Sequence, residues 1–161
     1  MTARPTPPSE AWVIHCDGGA HPNPGKMGLG YVATAPDGQT HRHACTLPGT
    51  GCNNEAEFQA AIHAMQFAQQ QGATSVHLFS DNSIVVEQLS NRVCAPIQRL
   101  AGLIDAARTV QATFECVTWT WVPRHRNGEA DALARQALGL PAKASVCPGK
   151  IRRKQQKVHR P

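Results

Sequence analysis

The chain has 161 residues, 41% of them hydrophobic and 17% charged, with a formal net charge of +5 at pH 7. This is enough for one soluble domain with a single core. No run reaches the roughly 18 apolar residues of a spanning helix, so we expect a cytoplasmic protein without membrane attachment. The six cysteines show no CxxC spacing, which argues against a disulfide framework or a zinc knuckle and favours reduced core cysteines.

The two ends of the chain differ in composition from the middle. Residues 1–11 are rich in proline and lack an apolar stretch, so we expect a disordered lead and not a signal peptide. The last twelve residues, KIRRKQQKVHRP, carry three arginines and three lysines and no acid. We therefore assign residues 141–161 to a basic tail, which favours a polyanionic partner.

Three strands are predicted first. They are WVIHCD (12–17), MGLGYVATAP (27–36) and GQTHRHACTL (38–47), and the PDG between the last two predicts a hairpin. In the third strand His41, His43 and Cys45 alternate, which places them on one face. A metal site at these three residues is an alternative that the sequence leaves open.

Helices and strands alternate in the second half. A helix is predicted from an asparagine cap at Asn53 to Gly72, with apolar residues at helical spacing. There follow a strand, SVHLFSD, two helices, NSIVVEQLSN and APIQRLAGLIDAARTVQ, a strand, TFECVTWTWV, and a helix, NGEADALARQALG. The order βββαβααβα predicts an α/β domain over residues 12–140: a mixed five-stranded sheet, three antiparallel strands and then parallel strands, with helices on both faces.

Four acids stand at comparable places in these elements. Asp17 and Asp81 each follow a predicted strand, whereas Glu57 and Asp131 lie in the first turns of predicted helices. Singly, each has an ordinary explanation as a turn former or a helix-dipole partner. Four converging carboxylates require a positive occupant, and oxygen ligands favour Mg²⁺, with Mn²⁺ as an alternative. Two such ions about 4 Å apart catalyse phosphodiester hydrolysis.

Four segments carry a family resemblance. CDGGAHPNPGKMGLGYV, GCNNEAEFQAAIHAM, LFSDNSIV and WVPRHRNGEADALARQA resemble, in order and spacing, the signature segments of type 1 ribonuclease H, spread over residues 12 to 138. The resemblance implies a ribonuclease H-like fold and metal-dependent endonucleolytic cleavage of the RNA strand of RNA/DNA hybrids, leaving 5′-phosphate and 3′-hydroxyl ends. It also implies that Asp17, Glu57, Asp81 and Asp131 bind the two metal ions and catalyse the reaction.

The resemblance extends to residues around the acids. It implies that Asn23, Asn53, Asn54 and Asn82 face the minor groove of the hybrid, where shape and 2′-hydroxyls are recognised. It implies that His125 assists proton transfer or product release. The short RVCAP segment leaves no room for the basic, tryptophan-containing protrusion of many bacterial members, so we expect the basic tail to supply phosphate contacts. We expect a monomer.

Three other functions compete with this interpretation. A non-catalytic hybrid-binding module would keep the asparagines and the tail but would not need all four acids. A phosphatase or a DNA nuclease would use clustered carboxylates but would not need the paired asparagines Asn53 and Asn54. A zinc-binding interaction protein would depend on His41, His43 and Cys45.

Overall fold

The structure, a computed structural model, describes residues 10–90 and 97–143. The predicted lead falls almost entirely outside these residues. The whole RVCAP segment (residues 92–96) and the tail from residue 144 also lie outside them. Within the described residues, no helix is long and apolar enough to cross a membrane.

The described elements follow the predicted order. They are β1 (Trp12–His21), β2 (Gly25–Thr34), β3 (Thr40–Gly51), α1 (Asn53–Gln70), β4 (Ser75–Ser80), α2 (Ser83–Leu89), α3 (Ala101–Gln111), β5 (Cys116–Trp121) and α4 (Gly128–Ala137), with 3-10 turns at Gln98–Leu100 and Arg124–Arg126. The strands form one sheet in the order β3-β2-β1-β4-β5. The pairs β1–β2 and β2–β3 are antiparallel, whereas β1–β4 and β4–β5 are parallel. The predicted mixed five-stranded α/β fold is confirmed.

The core lies between the sheet and α1. Because side chains alternate along a strand, Ile14 and Cys16 of β1 point to the same face, where they pack with Phe58 and Met65 of α1. Helix α4 covers the opposite face. A Cβ on Gly30 of β2 would lie only 2.5 Å from the Cβ of Leu133 and 2.8 Å from the carbonyl oxygen of Ala130, so this glycine allows α4 to lie directly on the sheet.

Strand β1 does not end where the sequence predicts. The prediction places its end at Asp17, but β1 continues to His21, which pairs with Lys26 of β2. The two neighbours of β1 explain the difference. The parallel pairs with β4 stop at His15 and Phe79, while the antiparallel hairpin with β2 continues for six more residues. Asp17 therefore lies where one side of the strand loses its partner.

The start of α1 also differs from the prediction. Cys52, not an asparagine, occupies the N-cap position and makes no side-chain cap hydrogen bond. The side chain of Asn53 accepts a hydrogen bond from the backbone N–H of Ala20 at 2.9 Å. Asn53 thus ties the start of α1 to β1 and does not cap its own helix.

The predicted turn at PDG is confirmed, because the N–H of Gly38 bonds to the carbonyl of Ala35 at 2.9 Å.

The two histidines of β3 pack against aromatic rings. The ring of His41 lies 5.3 Å from that of Phe67, and the ring of His43 lies 5.2 Å from that of Tyr31. In residues 10–90 and 97–143 the structure brings together no metal-binding group from His41, His43 and Cys45.

The four cysteines in the described part of the chain are free, and one of them lies at an unexpected position. Cys16, Cys45, Cys52 and Cys116 are all free thiols. Cys16 is buried and Cys45 packs against the core, but Cys116 is exposed at the start of β5. The expectation of a core position is wrong for Cys116.

Candidate active site

Two carboxylates reach the same edge of the sheet from neighbouring strands. Asp81 directly follows β4, as predicted, and Asp17 stands two residues beyond the last β1–β4 pair. In α/β sheets, ligands bind at this kind of edge, beyond the carboxyl ends of parallel strands. The residue after Asp81, Asn82, caps α2 by accepting hydrogen bonds from the N–H groups of Ile84 and Val85, which fixes the chain as it leaves β4.

Helix α1 brings the third carboxylate, Glu57, against β1. A Cβ on Gly18 would lie 2.2 Å from the carbonyl oxygen of Ala56 and 2.8 Å from the backbone nitrogen of Glu57. Only glycine permits this approach. Glu57 and Asp17 are therefore both buried, at 8% and 6% exposure, although each carries an ionisable group.

The first three acids form a tight group, and the fourth lies beside them. One carboxylate oxygen from each of Asp17, Glu57 and Asp81 lies within 4.8 Å of the others. Asp131, in the first turn of α4, lines the same cleft, and its charge helps to raise the pKa of Asp17. The structure thus brings together all four acids that the sequence singles out.

These donors fit a hard divalent cation. All are carboxylate oxygens, which Mg²⁺ and Mn²⁺ prefer. The Oε2 atom of Glu57 is buried and has no hydrogen-bond partner in the described part of the chain. A buried acceptor without a partner is costly, and coordination of a cation would remove that cost.

Burial and mutual repulsion oppose full ionisation of the inner acids. Burial is the main cause that raises the pKa of Asp17 to about 7, with further contributions from the charges of Asp81 and Asp131. Burial, followed by the charge of Asp17, raises the pKa of Glu57 well above its usual range. Without a cation, burial and like charge therefore favour the protonated forms of Asp17 and Glu57.

The two outer acids each contact a basic side chain. Nε of Arg124 lies 3.9 Å from Oδ2 of Asp81, and Nζ of Lys143 lies 3.2 Å from Oδ2 of Asp131. Burial raises the pKa of Asp81, while the charge of Arg124 opposes this rise. These cations partly neutralise the outer acids.

The predicted substrate-binding asparagines form a hydrogen-bonded network at one side of the cleft. Oδ1 of Asn23 accepts from the backbone N–H of Asn53 at 3.1 Å, and the side-chain amide of Asn82 donates to Oδ1 of Asn54 at 3.1 Å. Asn53, Asn54 and Asn82 line a cleft of about 440 Å³ together with the four acids. Asn23 supports this network from the β1–β2 loop and does not line the cleft.

The turn before α4 places its basic residues unequally. His125 is exposed in the 3-10 turn Arg124–Arg126, and the residues that line the cleft include Arg124 but not His125. Arg124 is not among the candidate site residues that the sequence indicates. The sequence carries no signal for Lys143, because twelve residues separate it from Asp131 and its contact arises only when the chain turns back after α4.

Comparisons with known proteins agree with this geometry. A family model described as reverse transcriptase-like matches residues 15–137. The ribonuclease HI of Halobacterium salinarum is 33% identical over 81% of this chain and 67% of its own length. The ribonuclease H of Mycolicibacterium gilvum is 32% identical over 86% of this chain and 99% of its own length. The chain belongs to the type 1 ribonuclease H family.

Solved structures of ribonuclease H proteins share the fold. The RNase H1 of Halobacterium salinarum gives a TM-score of 0.74 at 32% identity, over 80% of this chain and 98% of that one. The structure of LC11-RNase H1 in complex with an RNA/DNA hybrid gives a TM-score of 0.72 at 27% identity, and the match covers 80% of this chain and 96% of that one. The bifunctional protein Rv2228c of Mycobacterium tuberculosis is 34% identical over 86% of this chain. The present chain spans only 39% of the length of that protein.

Proposed function

We propose that this protein hydrolyses the RNA strand of RNA/DNA hybrids endonucleolytically with two divalent metal ions, leaving 5′-phosphate and 3′-hydroxyl ends. The observation that carries the proposal is the convergence of Asp17, Glu57 and Asp81 within 4.8 Å, with Asp131 beside them. Membership of the ribonuclease H family supports it. So does the structural similarity to a relative, the LC11-RNase H1, whose structure contains an RNA/DNA hybrid.

Asp17, Glu57, Asp81 and Asp131 would hold the metal ions, Mg²⁺ or Mn²⁺. When bound, two such ions stabilise charge on the attacking and leaving oxygens of a phosphodiester. The protein contributes fixed carboxylates on β1, α1, β4 and α4, so little reorganisation is needed at the site. The buried, unpartnered Oε2 of Glu57 is already available as a ligand.

The asparagine side of the cleft supplies the recognition of the hybrid. Asn53, Asn54 and Asn82 carry hydrogen-bonding groups that suit the wide minor groove of an RNA-containing duplex. Because Asn53 and Asn82 also hold β1 and α2 in place, binding residues and acids share one rigid frame. Arg124 and Lys143 at the cleft provide positive charge for phosphates, and the basic tail adds to it.

His125 completes the proposed catalytic set. Its exposed position leaves the ring free to accept or donate a proton once a substrate covers the cleft. We further propose that the protein acts as a cytoplasmic monomer, in which all of these groups come from one chain.

The test is cleavage of an end-labelled RNA/DNA hybrid in Mg²⁺, with RNA/RNA and DNA/DNA duplexes of the same sequence as controls. We expect internal cuts in the RNA strand of the hybrid only, and no cuts in EDTA. Ligation of the products distinguishes 5′-phosphate from 5′-hydroxyl ends. Hybrid binding without cleavage in either Mg²⁺ or Mn²⁺ would instead identify a non-catalytic binding module.

A further inference from the structure

Asn127, a residue that the sequence analysis does not single out, connects the two sides of the acid cluster. It directly precedes α4 and is 1% exposed. Its Nδ2 donates to the backbone carbonyl of Cys16, the residue before Asp17, at 3.0 Å. Its own backbone carbonyl accepts the N–H of Asp131 at 3.0 Å. Asn127 therefore contacts the backbone next to Asp17 and the backbone of Asp131 itself.

The asparagine gives up its usual role to make the first contact. Asparagine before a helix commonly accepts a hydrogen bond from an N–H of the first turn, but Asn127 makes no such cap bond. Its Oδ1 is buried and without a hydrogen-bond partner among the described residues. An unpaired buried oxygen is unfavourable for folding, and an apolar side chain would avoid it. The amide therefore makes the hydrogen bond to the Cys16 carbonyl and leaves its own oxygen unpaired.

The contact falls where the sheet no longer holds β1 on both sides. The last parallel pair with β4 is His15–Phe79, and Cys16 is the next residue. Beyond this point the described ladder fixes β1 only through β2. The hydrogen bond from Asn127 supplies a second support at the position from which Asp17 projects.

We propose that Asn127 is a positioning residue that sets the placement of Asp17 relative to Asp131. This inference rests on the proposed function, because it concerns how two of the four acids are held for metal binding. The side chain fixes the strand that carries Asp17, and the backbone fixes the helical turn that carries Asp131. Loss of the amide frees β1 to shift against α4 without removing any carboxylate.

The first test compares Asn127→Ala with a matched control, Gln111→Ala. The side chain of Gln111 also donates to a backbone carbonyl, that of Leu89 at 2.8 Å, but it lies on α3 away from the cleft. We expect Asn127→Ala to lower kcat and to weaken Mg²⁺ binding measured by calorimetry, each by about 10- to 100-fold, the range for loss of residues that orient metal ligands. The KM for hybrid should change little, because no groove-facing group is removed.

Gln111→Ala should lower only the unfolding midpoint. An equal loss of kcat and metal affinity in Gln111→Ala would overturn the inference, because it would show that loss of any side-chain amide bonded to a backbone carbonyl has this effect. If neither the unsubstituted protein nor the variants bind Mg²⁺ or Mn²⁺, the proposed metal site itself is wrong and the inference falls with it.

Asn127→Leu separates positioning from folding. Leucine has the branched shape of asparagine and removes the unpaired Oδ1, but it is larger and leaves the Cys16 carbonyl without its donor. We therefore expect these opposing effects to leave the unfolding midpoint close to that of Asn127→Ala or above it, with metal affinity and kcat still reduced. Retention of both within about twofold, less than the 10-fold minimum expected for such residues, would overturn the proposal. It would do so while leaving the proposed function intact.

Discussion

The inner and outer halves of the acid cluster are neutralised in different ways. Asp17 and Glu57 are buried against each other, and no basic side chain lies within ion-pair distance of either in the described part of the chain. Asp81 and Asp131 instead contact Arg124 and Lys143. Burial therefore favours the protonated forms of the inner pair, whereas each outer acid has a basic side chain beside it.

This difference shows how four converging acids coexist in a folded domain without a metal ion. A buried carboxylate that lacks a cation becomes neutral because desolvation and like charge disfavour ionisation. A carboxylate at the rim can stay ionised beside an arginine or a lysine. Metal binding at the inner pair must consequently release protons, whereas binding at the outer pair must displace or share a cation.

The largest expected effect is loss of cleavage on substitution in either half. Glu57→Gln and Asp81→Asn each remove one proposed metal ligand, so we expect activity in Mg²⁺ to fall by more than about 100-fold, the upper end for residues that merely orient ligands. Hybrid binding, measured with EDTA, should survive in both. Retention of more than a few per cent of activity by Asp81→Asn would contradict its assignment.

The same two variants should differ in stability without metal. Glu57→Gln removes a buried acid that lacks a cation, so its unfolding midpoint in EDTA should rise above that of the unsubstituted protein. Asp81→Asn removes repulsion too, but it also loses the contact with Arg124, so its rise should be smaller. Glu129→Gln is the control. Glu129 lies in the same helical turn as Asp131, but it is exposed and forms an ion pair with Arg42 of β3. If the unfolding midpoint in EDTA rose more in Asp81→Asn than in Glu57→Gln, the proposed difference between the inner and outer acids would be wrong.

A second prediction concerns the pH dependence of the metal-free protein. Asp17 has a pKa of about 7 in the folded state and about 4 when unfolded. Between these values the folded state binds more protons than the unfolded state, so the free energy of unfolding falls as pH rises from about 4 to about 7. Glu57, with its raised pKa, acts in the same direction.

Urea unfolding in EDTA at several pH values checks this sign. We expect Asp17→Asn to show a weaker decline, with the two proteins converging as the pH falls below about 4, where Asp17 is protonated in both states. Saturating Mg²⁺ should reduce the decline in the unsubstituted protein, because the metal replaces the protons. A free energy of unfolding that increases steadily from pH 4 to 7 in EDTA, and more so with Asp17 present, would contradict the assignment.

Local patterns predict the elements and point to the four acids, because periodicity places each acid next to a predicted strand end or helix start, although β1 in the structure continues beyond Asp17. Asp81 is the clearest example, since it directly follows a short apolar strand. The prediction for β1 fails because the end of a strand depends on its two neighbours separately: pairing with β4 stops at His15, whereas pairing with β2 continues. Sequence periodicity carries no information about that asymmetry.

Residues that act through distant contacts are harder to foresee. Asn127 resembles a helix cap in the sequence, yet its side chain bonds to a carbonyl 111 residues away. Arg124 and His125 are adjacent in the sequence, and only the direction of the 3-10 turn decides which lines the cleft. These outcomes depend on how α4 lies on the sheet, which is set by the close approach at Gly30.

The turn before α4 allows the outer half to be tested without changing an acid. We expect His125→Ala to lower turnover by roughly 10- to 1,000-fold with little change in KM, as for loss of a proton-transfer group. Arg124→Gln should mainly raise KM, since it removes a cleft charge, and should raise the pKa of Asp81 further. Arg126→Gln is the control, because Arg126 does not line the cleft. Lowered turnover in Arg124→Gln with none in His125→Ala would move the catalytic role to the arginine.

The smallest expected effect concerns Lys143, whose side chain is 48% exposed. A solvent-exposed ion pair contributes only about 0–1 kcal/mol, so Lys143→Gln should barely change the unfolding midpoint. Its ammonium group, however, contacts both carboxylate oxygens of Asp131, at 3.3 Å and 3.2 Å. A metal ion that uses Asp131 must compete with this contact. We therefore expect Lys143→Gln to bind Mg²⁺ a fewfold more tightly in calorimetry, as loss of a pair of this strength implies.

Arg42→Gln provides the comparison that isolates this competition. Arg42 of β3 forms an ion pair at 3.2 Å with Glu129 in the first turn of α4. Arg42→Gln therefore also removes one positive charge and one ion pair close to Asp131. Glu129 is not among the four acids, so the Mg²⁺ affinity of Arg42→Gln should stay at the unsubstituted value. Equal tightening in both variants would show a general effect of net charge, and weaker binding in Lys143→Gln would show that the lysine supports the metal site. Tightening in Lys143→Gln alone would mean that the cation which balances the outer acid in the folded protein is also the one that metal binding displaces.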